Sequence, residues 1–350
     1  MNGTGHDHGS EPHAPALPAT RVGEHRNVFV LSGGAARGAV QVGMLEVLLD
    51  AGIVPHALVG TSVGALNAAF MGVRPDRARV RELRGKWLQM TTRDIFPGGT
   101  LTRVGHLVRQ RPYLFSSAAL ARLIDDWKPV DRLEDLPTPV RVVTTPLAGD
   151  SAVYHRHGDL ARLLLASAAV PAVFAPVDLP AGCGHPGLHV DGGVADNVPI
   201  RGAADLAPTR VFVLDASLPP RLPRGRTPID VLVASLGVAM RSAPAPDLGP
   251  GVTVHRMTTP DLGIRMTDFT HTRQHMDDGR AAAEQVLEDL REMELSSALA
   301  AELAAQDAAA QEQASREQAA RDDVAPAEVP SGTLHHRRVL RLWDRRSRVA

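Results

Sequence analysis

The stretch "LVGTSVGALNAAF", Leu58–Phe70, passes from an apolar, β-branched run into a helix-like run across a single G-x-S-x-G turn. The same change happens once before. "NVFVLS" (Asn27–Ser32) is a buried-type strand pattern, "GGAARG" is a glycine turn, and "AVQVGMLEVLLDAG" carries helical spacing at Val40, Met44, Leu45 and Leu48 before closing on Gly52. With "IVPHALVG" as the second strand, the order is strand–turn–helix–strand–turn–helix. That order specifies a βαβ unit with parallel strands and puts both glycine turns on the same edge of the sheet. Ligands gather at the carboxyl ends of such strands, where both turns fall.

Further strands are expected at "VRVVTTPL" (Val140–Leu147), "AVYHR", "LHVDGG", "RVFVLDAS" (Arg210–Ser217) and "VTVHRM". Helices are expected at "DLARLLLASAAV", ending before Pro171, and from Ala281 to about Asp322. In the second, apolar spacing at Val286, Leu287, Leu290 and Met293 predicts packing that fades after Leu303. The arginine-rich segment 76–128 reads as a mostly helical insertion capping the site. The fold class expected is α/β, a mostly parallel central sheet flanked by helices. Residues 1–24 read as a disordered leader, 25–295 as one α/β domain, and 296–350 as a polar helical extension, linker and basic tail.

The chain has 350 residues, 44% of them apolar, enough for a sizeable core, and its net charge of −1 gives no reason to expect a nucleic-acid partner. A single cysteine, Cys183, excludes an internal disulfide framework and suits a reducing compartment. No run of 18 apolar residues and no signal-type segment occurs, so a cytoplasmic location is expected. Neither "HDH" in the leader nor "CGHPGLH" (Cys183–His189) has the ligand spacing of a metal site, and no metal or cofactor is expected.

Ser62, between Gly60 and Gly64, has the residues a nucleophile needs on a sharp strand-to-helix turn. The glycines avoid collision with neighbouring strands, and the helix N-terminus favours developing negative charge. A serine hydroxyl still needs a proton acceptor. Lys86 and Lys128 do not fall on core strands or turns. A Ser–His–Asp arrangement would draw on Asp215 with His255, His271 or His275. Asp191, in "HVDGGVADNVP", is the other candidate, a carboxylate at a strand end followed by two glycines. "SGGAARG" (Ser32–Gly38) lacks dinucleotide and Walker spacing. Its backbone N–H groups could serve a phosphate or an acyl oxyanion, so a non-enzymatic phosphate-binding module stays open at this point.

Taken together, "SGGAARG", "GTSVG" some two dozen residues later and "DGG" well downstream resemble the patatin-like phospholipase family of serine lipid acyl hydrolases. "ASAAVPAVFAPV" (Ala166–Val177) resembles the segment preceding the family's DGG. The likeness runs from about Asn27 to Ser217 and implies a three-layer sandwich with a Ser–Asp dyad, Ser62 attacking a lipid ester and Asp191 receiving its proton. It implies an oxyanion loop of Gly33, Gly34 and Gly38, with Arg37 at the loop's basic position. Ala35 replaces a third glycine of many family loops, and an ordinary backbone is expected there. Asn197 and Pro199 match the continuation after DGG and are expected to give support only. For the C-terminal "RRVLRLWDRRSRV", six arginines around aliphatics and one tryptophan, peripheral membrane contact and a solvated basic tail are both open.

Overall fold

The computed structural model describes residues 25–96, 115–217, 238, 246–260 and 267–322. The leader, the centre of the expected cap and the basic tail therefore lie outside the described residues.

β1 (Asn27–Leu31) and β2 (Ala57–Thr61) are buried at every position, as strands covered on both faces must be. They pair in parallel, Val28 opposite Ala57 through Leu31 opposite Gly60. β1 also pairs in parallel with β7 (Arg210–Asp215), β2 with β3 (Val140–Pro146), and β7 with β8 (Thr253–Thr258). Beyond β3 the pairing reverses. β4 (Val153–His155) and β6 (Gly187–Asp191) both run antiparallel to β3, and β5 (Val177–Leu179) antiparallel to β6. The sheet order is β5-β6-β3-β2-β1-β7-β8, with β4 off the path on β3. This is the mixed, mostly parallel sheet flanked by helices that the sequence specifies. β5, too short to show a period, had no sequence signal.

One face carries the main core, where α1 (Gly38–Asp50) and α2 (Val63–Met71) pack with the helix Leu160–Ser167 over Phe29, Leu31 and Phe212. The other face carries a smaller core of Val28, Val30, Val59, Val211 and Val213, covered by Ile200, Ala203 and Leu206 of a 3₁₀ segment, Ile200–Leu206. The cap region supplies the helices Arg77–Gln89, Thr92–Ile95 and Ala118–Trp127.

The last described helix, Thr272–Asp322, begins in a compact unit that ends at Arg291 and continues into a second unit from Glu292. In the first unit it meets α1 at backbone distance: a Cβ on Gly43 would overlap the Met276 carbonyl, and one on Gly279 the Val40 carbonyl. Glu46 of α1 binds Arg280 of this helix and Arg84. Leu287 and Leu290 are buried as the spacing predicts, but Met293, expected on the packed face, is 60% exposed. Helical spacing marks a face without showing how far along it packing persists. In the second unit Leu295, Leu299 and Leu303 are exposed.

The crossing of two helices at Gly43 and Gly279 predicts that Gly43→Ala or Gly279→Ala destabilises the fold by about 1–3 kcal/mol through overpacking against backbone that cannot move aside. Urea denaturation of each variant measures it. Gly85→Ala, where the added methyl meets nothing within 4 Å, is the neutral comparison.

Candidate active site

Ser62 is the N-cap of α2 and sits at φ 55°, ψ −124°, outside the regions that L-residues favour. Such a conformation costs roughly 1–3 kcal/mol and persists only where the surroundings over-determine it. Here they do. The Ser62 N–H donates to Ser167 Oγ at 2.9 Å, and the Ser167 hydroxyl donates to the Val143 carbonyl at 2.6 Å. Gly64 has no room for a side chain, because a Cβ would overlap the Leu31 carbonyl. At Gly60 a Cβ would come within 2.5 Å of Ala65 Cα. The strand-to-helix turn is as tight as the G-x-S-x-G spacing requires.

Asp191 ends β6 opposite Thr144 of β3 and is 2% exposed. Its backbone is pinned on both sides: its N–H donates to the Ala169 carbonyl at 2.9 Å, and Thr145 Oγ1 donates to its carbonyl at 3.0 Å. The carboxylate accepts from the Gly193 N–H at 2.8 Å, and the Ser62 hydroxyl lies close enough to favour its charged form. Burial raises its pKa from 3.8 to about 6, and the Ser62 hydroxyl and the Gly193 N–H hold back a larger rise. Ser62 and Asp191 are thus brought together from β2 and β6, strands separated by β3.

The glycine turn lies beside them. A Cβ on Gly33 would be 3.3 Å from Ser62 Cβ. Of the residues expected to donate to an oxyanion, three spend their N–H groups inside the turn: Gly33 on the Asn197 carbonyl at 3.1 Å, Arg37 on the Gly34 carbonyl at 3.1 Å, and Gly38 on the Ala35 and Ala36 carbonyls. The N–H groups of Gly34 and Ala35 have no hydrogen-bond partner among the described residues. Ala35 is at φ 49°, which corrects the expectation of an ordinary backbone there. The turn keeps the left-handed conformation that a glycine would adopt more cheaply, because its flanks are fixed.

Arg37 does not reach toward Ser62. It is buried, and its guanidinium donates to the carbonyls of Ala216, Thr259 and Pro260 and to Thr259 Oγ1, so it clamps the segments leaving β7 and β8. A second support escaped the sequence reading altogether. Trp87 Nε1 donates to Asn67 Oδ1 at 2.9 Å, Asn67 Nδ2 donates to Gln41 Oε1 at 2.8 Å, and Gln41 Nε2 donates to the carbonyls of Ser32 and Leu214. This fully buried chain ties the cap helix and α2 to the glycine turn. Polar residues interrupting apolar helical faces were its only signal. Asn197 supports the same turn, donating to Ser217 Oγ at 2.9 Å and accepting from Gly33.

The carboxylate a histidine triad would need is committed elsewhere. Asp215 accepts from Arg256 at 2.6 Å and from Ser32 and Ser217; Ser217 and Arg256 hold its carboxyl below the usual range against the effect of burial. His255 stacks on Phe212. The buried His275 ring lies near Ala36 and Arg37, where burial and the guanidinium charge push its pKa down to about 4. His271 is exposed. Lys86 and Lys128 bind surface carboxylates, Asp126 and Asp131.

Ser62 opens onto an apolar cavity of about 130 Å³ bounded by Leu66, Phe96, Phe115, Leu164, Val170 and Phe174. Phe96 packs against Phe115 and Phe174 with ring centroids 5.2 and 5.7 Å apart. The described ends of the cap therefore contribute to the cavity wall. No helix among the described residues is long and apolar enough to cross a membrane.

Comparison with known proteins agrees with this geometry. Residues 29–204 match the family described as "Patatin-like phospholipase". The chain is similar to patatin-like phospholipase domain-containing protein 6 of Mus musculus and of Homo sapiens, 28% identical in each case over 187 residues, 53% of this chain and 13% of the relative. It is also similar to neuropathy target esterase sws of Drosophila melanogaster, 27% identical over 187 residues, 53% of this chain and 12% of that protein. These matches therefore span about an eighth of the relatives' length. Among solved structures, VipD from Legionella pneumophila aligns over 76% of this chain and 67% of its own, with 14% identity and a TM-score of 0.37. With its family match covering half of its length, the chain belongs to the patatin-like phospholipase family.

Proposed function

We propose that the protein is a serine lipid acyl hydrolase that cleaves carboxylic esters of phospholipids or related lipids through an acyl-Ser62 intermediate, with Asp191 as its base. One observation carries the reading: a serine on a strained strand–helix turn stands beside a buried carboxylate, at the mouth of an apolar cavity. The family match and the similarity to proteins named phospholipases and an esterase support the lipid ester as substrate.

In this reading Ser62 Oγ attacks the ester carbonyl carbon as its proton passes to Asp191. The carbonyl oxygen becomes an oxyanion facing unengaged N–H groups of Gly34 and Ala35 and the N-terminus of α2. One such donor contributes about 3–4 kcal/mol to the transition state. Asp191 then protonates the departing alcohol. Water attacks the acyl-enzyme and gives a proton to Asp191, which returns it to Ser62 Oγ as the fatty acid leaves. A carboxylate with pKa near 4 would be a weak base at neutral pH. At about 6 it is better matched to serine and still ionised at pH 7.5. The cavity takes the acyl chain. Its walls are almost wholly apolar, so each buried methylene contributes about 0.8 kcal/mol to binding.

Replacing Ser62 with Ala is expected to abolish ester hydrolysis and labelling by a fluorophosphonate probe. Asp191→Asn should lower kcat by a factor of about 10²–10⁴, the usual worth of a positioned base. Unchanged labelling of Ser62→Ala would refute the nucleophile, and Asp191→Asn with wild-type kcat would refute the base. For the wild type, kcat/KM should fall as pH drops below about 6, when Asp191 takes up a proton in the free enzyme.

The same shift has a consequence for stability. Because the folded pKa lies above the unfolded one, the wild type loses stability, by about 3 kcal/mol, as pH rises from 3.8 to about 6. Asp191→Asn has no such charge to bury. It should be more stable than wild type above pH 6, and the advantage should vanish near pH 4. Urea denaturation at both pH values checks this, and an equal difference at the two would contradict it.

Filling the cavity should change chain preference. Leu123→Trp, at a half-buried wall position, is expected to shift kcat/KM toward short-chain esters at least about tenfold without loss of fluorophosphonate labelling.

A further inference from the structure

A second and larger cavity, about 620 Å³, lies away from Ser62 against β3, β4, β6 and the 3₁₀ segment Ile200–Leu206. Its character is opposite to that of the apolar cavity. Three guanidinium groups border it, those of Arg141, Arg156 and Arg201, together with His185 and His189. Asp205 is the one carboxylate residue among its lining, and it is used: Arg141, itself buried, donates to it at 3.1 Å. Asp196, behind the Tyr154 wall, accepts from Tyr154 Oη at 2.5 Å and feels the field of Arg201 without an ion pair. Arg156 and Arg201 are exposed and make no ion pair or hydrogen bond with any described residue.

His189 is engaged within the wall on both ring nitrogens. His189 is wholly buried, with Nδ1 at 2.8 Å from Thr144 Oγ1 and Nε2 at 3.1 Å from the His185 carbonyl. His155 sits behind it, 2.7 Å from the same Thr144 hydroxyl. Burial biases both toward the neutral form, with His189 acting further on His155 and His185 on His189. The cavity's uncompensated charge is therefore that of Arg156 and Arg201, two positive charges.

We propose that this cavity binds a phosphate monoester. A monoester carries about −1.5 to −2 charges near pH 7, the amount that two unpaired guanidinium groups neutralise, whereas a carboxylate or a phosphodiester carries only one. Guanidinium forks match phosphate oxygens in bidentate geometry. The space exceeds one phosphate group, so the ligand brings a polar body with it, either as a free phosphorylated small molecule or as the headgroup of a phosphomonoester lipid. The site communicates with the catalytic turn by a short physical route. Tyr154 in its wall holds Asp196, and the Asp196 carbonyl accepts from Thr61 Oγ1 at 3.0 Å, next to Ser62. The assignment goes beyond the hydrolase reading and does not depend on it.

Calorimetric titration of the full chain with glycerol 3-phosphate, and sedimentation with phosphatidylcholine vesicles containing either phosphatidic acid or phosphatidylglycerol, tests the proposal. Arg156→Ala/Arg201→Ala is expected to weaken binding of glycerol 3-phosphate or of phosphatidic acid vesicles at least about tenfold, with its thermal melting unchanged. Ser62→Ala should bind as the wild type does, which separates this site from the catalytic reading. Arginine-dependent binding of glycerol 3-phosphate assigns a free ligand. Arginine-dependent binding confined to phosphatidic acid vesicles assigns a headgroup. Binding of neither probe at millimolar concentration, equal binding by the double variant, or equal preference for phosphatidylglycerol overturns the proposal.

Discussion

A carboxylate buried at 2% exposure with no cation against it is the constraint around which the rest of the structure is arranged. Burying such a group without hydrogen bonds is prohibitively costly, and burying it with a full set of donors would leave a very weak base. Asp191 lies between these limits. The backbone N–H of Gly193 donates to it, and the hydroxyl of Ser62 lies near enough to favour its charged form. The chain tolerates the remaining cost because Asp191's backbone is fixed to Ala169 and Thr145 and cannot swing toward water. A more stable protein could be made here by removing the charge, which fits a position held for chemistry rather than for folding.

Bringing that carboxylate to a serine on the far side of β3 demands close backbone approach at the sheet's carboxyl edge. Gly64 against the Leu31 carbonyl and Gly192 against the Val143 carbonyl each remove a side chain where two strand ends converge. The strain left over collects at Ser62 and Ala35, two non-glycine residues with positive φ on neighbouring turns. Both turns are over-determined by buried polar groups: Ser167 under the serine, and the Trp87–Asn67–Gln41 chain under the glycine turn. A satisfied buried network rigidifies, while one missing a member is worse than apolar packing, so these residues act together.

Much of this was legible in the sequence because it follows from local rules. The strand–turn–helix repeat around Gly33 and Ser62 needs only apolar runs and glycine placement, and the parallel core β2-β1-β7 follows from it. Asp191 was legible as a carboxylate at a strand end before two glycines. What the sequence hid was of three kinds. The antiparallel margin of β5 and β6 arises from tertiary pairing between short strands. The sign of φ at Ala35 is imposed by its neighbours against its own preference. The donors left free in the glycine turn depend on which carbonyls come within reach, so Gly33, Arg37 and Gly38 matched the pattern yet spend their N–H groups internally. Arg37 is the clearest example, since a basic residue in an anion-binding loop suggests substrate contact, whereas its guanidinium holds the ends of two strands.

The two cavities bear on how one small sheet can handle an amphiphile. The apolar one opens from Ser62 on the face covered by α1, α2 and the cap, while the basic one adjoins the face covered by Ile200–Leu206. The sheet between them is a poor path for direct contact with one bound lipid, so a phosphorylated group in the basic cavity is better placed to act as a second ligand than as the headgroup of the molecule being cleaved. Thr61 and Asp196 are where such a ligand would be felt, because the β2 end that presents Ser62 is hydrogen-bonded to the segment that follows Asp191. Any shift of that segment moves the nucleophile's turn and the proposed base together. For that reason binding at the second cavity would tune the rate of the whole dyad and leave the recognition of the acyl chain, which rests on the opposite face, unaltered.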